Sequence, residues 1–260
     1  MALVNYSKND GLAVMELDHP PANTYSYEMM QELDRAILDA RMDDTVHVLV
    51  LTGAGEKFFC SGADIGMLNE VTPEFKYYFC LHANETLGRL ETTRKLVIAA
   101  LNGHTVGGGL EVALACDLRV AKKGTAKIGL PEVQLGVLPG TGGTQRLARL
   151  LGRARALELM VTGKLLGFED AAGLGLVNEL FDADGFRERA LQYAAQFVPP
   201  NRAARAVGSI KRAVCSGLEA PFSEGLALER ELQQQLFLSE DATEGIAANV
   251  EKRKASFRGR

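Results

Sequence analysis

A chain of 260 residues with 47% hydrophobic and 24% charged side chains can bury its own core without disulfide or metal staples. Lys+Arg 29 against Asp+Glu 33 leaves a net charge of −4, which excludes a strongly basic nucleic-acid binder, and the ordinary apolar content excludes disorder. No apolar run approaches the ~20 residues of a membrane span, and the first residues lack a secretory signature. The expectation is a cytoplasmic protein, or a mature mitochondrial one, with no membrane or nucleic-acid partner. Its four widely spaced cysteines (Cys60, Cys80, Cys116, Cys215) are expected as reduced, mostly buried thiols.

Apolar alternation over Leu12 to Leu17 predicts a strand, closed by the turn residues Asp18-His19-Pro20-Pro21. Met29, Met30, Leu33, Ile37 and Leu38 recur at helical spacing. Val46 to Leu51 and Leu96 to Leu101 are continuous apolar runs suited to strands buried on both faces, with a helix between them over Glu74 to Leu90. Gly108 to Ala115 reads as a helix opening after a glycine cluster. Leu118 to Ala121 and Ala126 to Ile128 read as short strands forming a hairpin around Lys122-Lys123-Gly124. From Gly142 onward the pattern is helical, apart from a weak strand at Leu176 to Leu180. This order favours an α/β fold, a parallel sheet covered by helices over residues 1–195, followed by a helical segment over 196–260.

Several motif-like stretches carry little. Gly53-Ala54-Gly55 lacks the third glycine of a dinucleotide loop, with Phe58 in its place, and reads as a strand-to-loop turn. Gly140-Thr141-Gly142-Gly143-Thr144 lacks the Lys-Ser/Thr ending of a phosphate loop. The histidines His19, His47, His82 and His104 show no metal-ligand spacing, and no metal is expected.

Three segments stand out together. They are Phe58-Phe59-Cys60-Ser61-Gly62-Ala63-Asp64-Ile65, Asn102 to Glu111, and Gly129 to Gly140. The first two follow predicted strands, where open α/β sheets bind ligands. Their small residues (Gly62, Ala63, Gly107, Gly108, Gly109) let a ligand approach the backbone closely. Converging N–H groups there suit a carbonyl oxygen that gains charge during reaction. Glu111 lies in the first turns of the helix that opens at Gly108, and Glu132 arrives from a separate loop 21 residues later. Both have apolar neighbours (Leu110, Val112, Leu130, Val133), so burial should raise their pKa values and suit them to proton transfer. Taken singly, each piece has a structural explanation: a helix-terminal carboxylate, an exposed loop residue, a tight turn. Jointly they are hard to explain by structure alone.

These same residues closely resemble the crotonase superfamily, and enoyl-CoA hydratases in particular. The resemblance is carried by Ser61-Gly62-Ala63-Asp64-Ile65, Gly107-Gly108-Gly109-Leu110-Glu111, Leu130-Pro131-Glu132, Pro139 to Leu147, and Val250 to Ala255, and runs nearly the whole length. It implies a spiral of ββα units with C-terminal helices that assemble a homotrimer or a hexamer. It implies an oxyanion hole from the N–H groups of Ala63 and Gly108, with Glu111 as base and Glu132 as acid adding water across the 2,3-double bond of an acyl-CoA. Cys60, Ser61, Gly62, Asp64, Ile65, Gly140 and Lys252 are the implied substrate- and CoA-binding residues. No cofactor is implied beyond the CoA of the substrate itself.

Some positions depart from the family pattern. Gly66 stands where many hydratases place a CoA-contacting Lys, and Asn249 replaces a C-terminal aromatic. Pro20 to Tyr25 differs where the acyl pocket is often built. Two alternatives therefore stay open among enzymes: a double-bond isomerase, or a hydratase of a branched, aromatic or cyclic acyl-CoA. A non-catalytic relative that keeps the fold would have lost the acid/base pair or gained a basic surface, and neither is seen.

Overall fold

A computed structural model describes residues 2–260. In chain order it contains β1 (Val4–Asn9), β2 (Leu12–Leu17), α1 (Tyr27–Met42), β3 (Val48–Gly53), β4 (Phe58–Cys60), α2 (Ile65–Glu70), α3 (Pro73–Thr92), β5 (Leu96–Leu101) and β6 (His104–Val106). Then come α4 (Gly108–Leu114), β7 (Leu118–Lys122), β8 (Lys127–Gly129), a 3-10 turn (Glu132–Leu135), α5 (Gly143–Leu151) and α6 (Arg153–Thr162). The chain closes with β9 (Leu166–Gly167), α7 (Phe168–Gly173), β10 (Glu179–Phe181), α8 (Phe186–Ala195), α9 (Ala204–Gly217), α10 (Phe222–Phe237) and α11 (Glu240–Val250).

The strands form two sheets rather than the single one expected. The larger runs β1-β2-β3-β5-β7-β10 and the smaller β4-β6-β8-β9. β2, β3, β5, β7 and β10 pair in parallel, and β1 closes the edge antiparallel to β2. Each of β3, β5 and β7 is followed by a short strand of the second sheet: β4, β6 and β8. The predicted hairpin around Lys122-Lys123-Gly124 is thereby corrected. β7 pairs with β5 and β10, whereas β8 pairs with β6 and β9, so the turn carries the chain from one sheet to the other. The weak strand expected at Leu176 to Leu180 lies at Glu179–Phe181.

The apolar runs are continuous because the larger sheet is covered on both faces. Leu49, Leu51, Val97, Ala99 and Leu101 face the core formed with α1 and α3, where Met29, Leu33, Ile37, Phe79 and Leu87 are buried. Val48, Val50, Ile98 and Ala100 face Phe186, Ala190 and Ala194 of α8. Ser26 caps α1 by accepting the Met29 N–H, and Thr72 caps α3 with Pro73 in the first turn, where a missing N–H costs nothing.

Helix α9 is anchored to the core by a buried ion pair. Lys211 of α9, 6% exposed, donates to Asp117 Oδ2 (2.8 Å) and to the carbonyls of Leu90 (2.7 Å) and Lys95 (3.1 Å). Asp117 in turn accepts the Val97 N–H of β5 at 2.7 Å. Cys60 and Cys116 are buried, Cys80 is half-buried, and Cys215 is exposed, against the expectation of mostly buried thiols. No helix among the described residues is long and apolar enough to cross a membrane.

Candidate active site

The two loops singled out in the sequence leave β4 and β6, which are adjacent and parallel in the smaller sheet. They do not leave the long strands β3 and β5 directly, as the sequence reading had it. Asn102 and Asn23 clamp the link between the sheets. Asn102 accepts the Gly53 N–H (3.0 Å) and donates to the carbonyls of Gly55 (2.9 Å) and Phe58 (3.2 Å). Asn23 donates to the carbonyls of Ala54 and Phe58, both at 3.0 Å.

After β4 the chain pairs with the residues around Tyr25. The Tyr25 N–H donates to the Gly62 carbonyl (2.9 Å), and the Asp64 N–H donates to the Tyr25 carbonyl (3.0 Å). In an extended segment successive peptide groups alternate sides. The Ala63 N–H is therefore turned away from Tyr25, and it meets no acceptor among the described residues. The Gly108 N–H belongs to the first turn of α4, where no intrahelical acceptor exists, and it too meets none among the described residues. Gly62 holds the two loops together. It has φ +97, and a Cβ there would stand 3.0 Å from the Gly108 nitrogen.

Glu111, on α4, is 2% exposed. Its Oε1 accepts the N–H groups of Thr141 (2.8 Å) and Gly143 (2.7 Å), and its Oε2 accepts the Thr141 hydroxyl. Burial pushes its pKa up, while these donors and the charge of Arg146 oppose the shift. Glu132 opens the 3-10 turn, and its carboxylate lies against the backbone at the start of α4. A Cβ on Gly107 (φ +58) would stand 3.2 Å from Glu132 Oε1. Its Oε2 is buried without a hydrogen-bond partner among the described residues. Burial, reinforced by the negative charge of Glu111, raises its pKa to about 7. The site thus holds two acids of different character: one bound by three donors, the other with a buried oxygen left unpaired.

The remaining residues named from the sequence fall at several levels. Cys60 is a buried thiol that accepts the Gly62 N–H at 3.4 Å, and the Ser61 N–H donates to the Ala22 carbonyl at 3.1 Å. Asp64 caps α2 by accepting the Met67 N–H (2.9 Å), and Ile65 in the first turn of α2 is 62% exposed. Gly140 is exposed, with its carbonyl accepting from Asn84 at 3.4 Å. Lys252 follows α11, and no contact among the described residues joins it to the other positions. The tail beyond it packs near Pro200 and His47, beside the start of β3. Sequence reasoning gave no role to Tyr25, Thr141 or Gly143. The glycine-rich loop that looked like a failed phosphate loop was the available signal.

The family model for enoyl-CoA hydratase/isomerase matches residues 7–260. The chain belongs to the enoyl-CoA hydratase/isomerase family. This family lies within the crotonase superfamily, and the chain is an enzyme of it. A short-chain-enoyl-CoA hydratase from Clostridium acetobutylicum is 37% identical over 248 residues, 95% of this chain and 94% of that protein. The putative enoyl-CoA hydratase/isomerase YngF of Bacillus subtilis is also 37% identical, over 97% of this chain and 96% of its own. A crystal structure of an enoyl-CoA hydratase from Geobacillus kaustophilus superposes with a TM-score of 0.97 at 45% identity, covering 100% of this chain and 98% of that one. The two-sheet architecture described above is therefore the crotonase fold.

Proposed function

We propose that this enzyme is a hydro-lyase that adds water across the 2,3-double bond of a 2-enoyl-CoA thioester. The thioester oxygen accepts the N–H groups of Ala63 and Gly108. Glu111 takes a proton from water, whose oxygen bonds to C3. The π electrons move toward the thioester oxygen, where each amide contributes about 3 kcal/mol to the developing charge. Glu132 gives its proton to C2, and the pair resets by passing the water-derived proton from Glu111 to Glu132. The acid/base order follows from the environments. A carboxylate bound by three donors favours the ionised state, while a buried carboxyl oxygen without partners favours the protonated one.

The single observation that carries this reading is the pairing of these unlike acids beside two N–H groups that have no protein acceptor. In the same reading Cys60, Ser61, Gly62, Asp64, Ile65 and Gly140 line the thioester and pantetheine path, largely through backbone, and Lys252 meets CoA phosphate. The acyl-CoA is the partner, and no further cofactor is needed. The reading includes a homotrimer or hexamer. Phe222, Phe237, Leu238, Ile246 and Val250, exposed on or beside α10 and α11, support burial against further copies. Four free thiols suit a reducing, cytoplasmic setting.

The test is loss of the conjugated-thioester absorbance of crotonyl-CoA on adding pure protein. Rapid loss is expected. No loss, with conversion of a 3-enoyl-CoA instead, would replace hydration by isomerisation. A monomer in sedimentation would remove the trimer.

A further inference from the structure

Behind Glu111 lies a buried chain of hydroxyls. Tyr25 is 2% exposed, its ring packs on Phe79 with centroids 5.8 Å apart, and its hydroxyl reaches Thr141 Oγ1 at 3.2 Å. Thr141, 3% exposed, directs its hydroxyl at Glu111 Oε2. A threonine hydroxyl has one proton. When that proton is committed to the carboxylate, the Tyr25 hydroxyl must donate to Thr141, and the direction of the whole chain is set. An ionised carboxylate offers about four lone-pair sites. Both on Oε1 are taken by the N–H groups of Thr141 and Gly143, and one on Oε2 is taken by the Thr141 hydroxyl. A single site on Oε2 is left for proton transfer. Tyr25 also abuts the start of α4: a Cβ on Gly108 would collide with its hydroxyl.

We propose that Thr141 and Tyr25 are positioning residues for Glu111, their hydroxyls fixing its rotation and holding it ionised so that one lone pair faces the reaction. This rests on the reading of Glu111 as the base. An apolar pair of the same shape would fill the space without polar groups to satisfy, so packing alone does not account for the chain. The other groups facing Glu111 are Arg146 of α5, which favours the ionised form, Glu132 of the 3-10 turn, and the Cys80 thiol, while the Cys60 thiol faces Tyr25. Burial pushes the Cys60 thiol up to about 12, and also raises Cys80 and Tyr25, so these three stay neutral near pH 7.

The experiment is an infrared titration of the Glu111 carboxyl in full-length protein carrying Glu132→Gln, which removes coupling within the pair. The band is assigned by its loss in Glu111→Gln. Thr141→Val is expected to raise the midpoint by about one to two pH units, the size of a lost hydrogen bond to a charged group. Thr141→Ser should hold the midpoint, and Tyr25→Phe should raise it by a smaller step. With Glu132 restored, the acid limb of kcat/KM on crotonyl-CoA should move by the same amounts while KM changes less than about twofold. A Thr141→Val midpoint equal to that of the parent overturns the proposal. If that variant does not fold, an unmoved midpoint in Tyr25→Phe overturns it. Because the titration needs no substrate, it decides the proposal even if the native protein leaves crotonyl-CoA untouched, a result that would count against the hydratase reading alone.

Discussion

The α-carbon of Gly62 packs against the amide nitrogen of Gly108, so closely that a Cβ on Gly62 would stand 3.0 Å from it. This contact ties the loop bearing Ala63 to the first turn of α4 and sets the spacing of the two free amides. Gly62→Ala must push them apart and also strain a backbone at φ +97. The expected cost is about 1–3 kcal/mol of stability and at least roughly a tenfold loss of turnover from misplaced amides. Urea unfolding and steady-state kinetics on crotonyl-CoA measure the two effects separately. Native turnover in this variant would mean the contact does not govern the spacing.

Glu111→Gln and Glu132→Gln should each lower kcat by about 10²–10⁴-fold, with acyl-CoA binding little changed by calorimetry. In the native enzyme kcat/KM should rise as Glu111 ionises and fall as Glu132 loses its proton near pH 7. The two limbs belong to the coupled pair. The residual activity of Glu132→Gln should lack the alkaline limb. A variant that keeps near-native kcat would take that carboxyl out of the reaction.

The same carboxyl should cost the fold stability at high pH. Burial raises the folded-state pKa of Glu132 to about 7 from its ordinary value of 4.5. The folded protein therefore holds the proton more tightly than the unfolded chain, and stability falls as pH rises between those values. Glu132→Gln removes this loss. At pH 8 it should be more stable than the native protein by about 1–2 kcal/mol after allowance for the group's partial exposure. That corresponds to about 2–8 °C in Tm, and the gap should close at pH 5. A gap that persists unchanged at pH 5 would point to packing instead of ionisation.

Lys211→Met should loosen the C-terminal helices. It leaves Asp117 buried beside the core without its cation, and breaking one side of such a pair costs about 3–5 kcal/mol. Adding Asp117→Asn should recover part of that loss. Chemical unfolding of the single and double variants gives the coupling directly. Additive losses would mean the 2.8 Å contact contributes nothing of its own.

Much of the fold was legible because burial on both faces writes a continuous apolar run. Val46 to Leu51 and Leu96 to Leu101 announced β3 and β5 to within two residues. Of the second sheet only β8 was announced, by Ala126 to Ile128 and with the wrong partner; β4 and β6 have three residues each and β9 two, too short for a period to register. β1 was missed although its signal was present: Asp10-Gly11, both at positive φ, is the tight turn of a hairpin with β2. At the site, Glu111, Glu132 and the glycine-rich loops stood out as residue types. Thr141 and Tyr25 did not, since 116 residues separate the two hydroxyls and nothing local to either marks the pairing.

Half of the site consists of main-chain nitrogen, and that has a consequence for how the protein tolerates change. A donor at Ala63 survives replacement of its methyl by almost any side chain that fits, because every residue but one keeps the hydrogen. Only proline abolishes it. A scan that truncates side chains to alanine would find the acids at once and pass over the amides completely, so the durable part of this enzyme is the part such a survey cannot see.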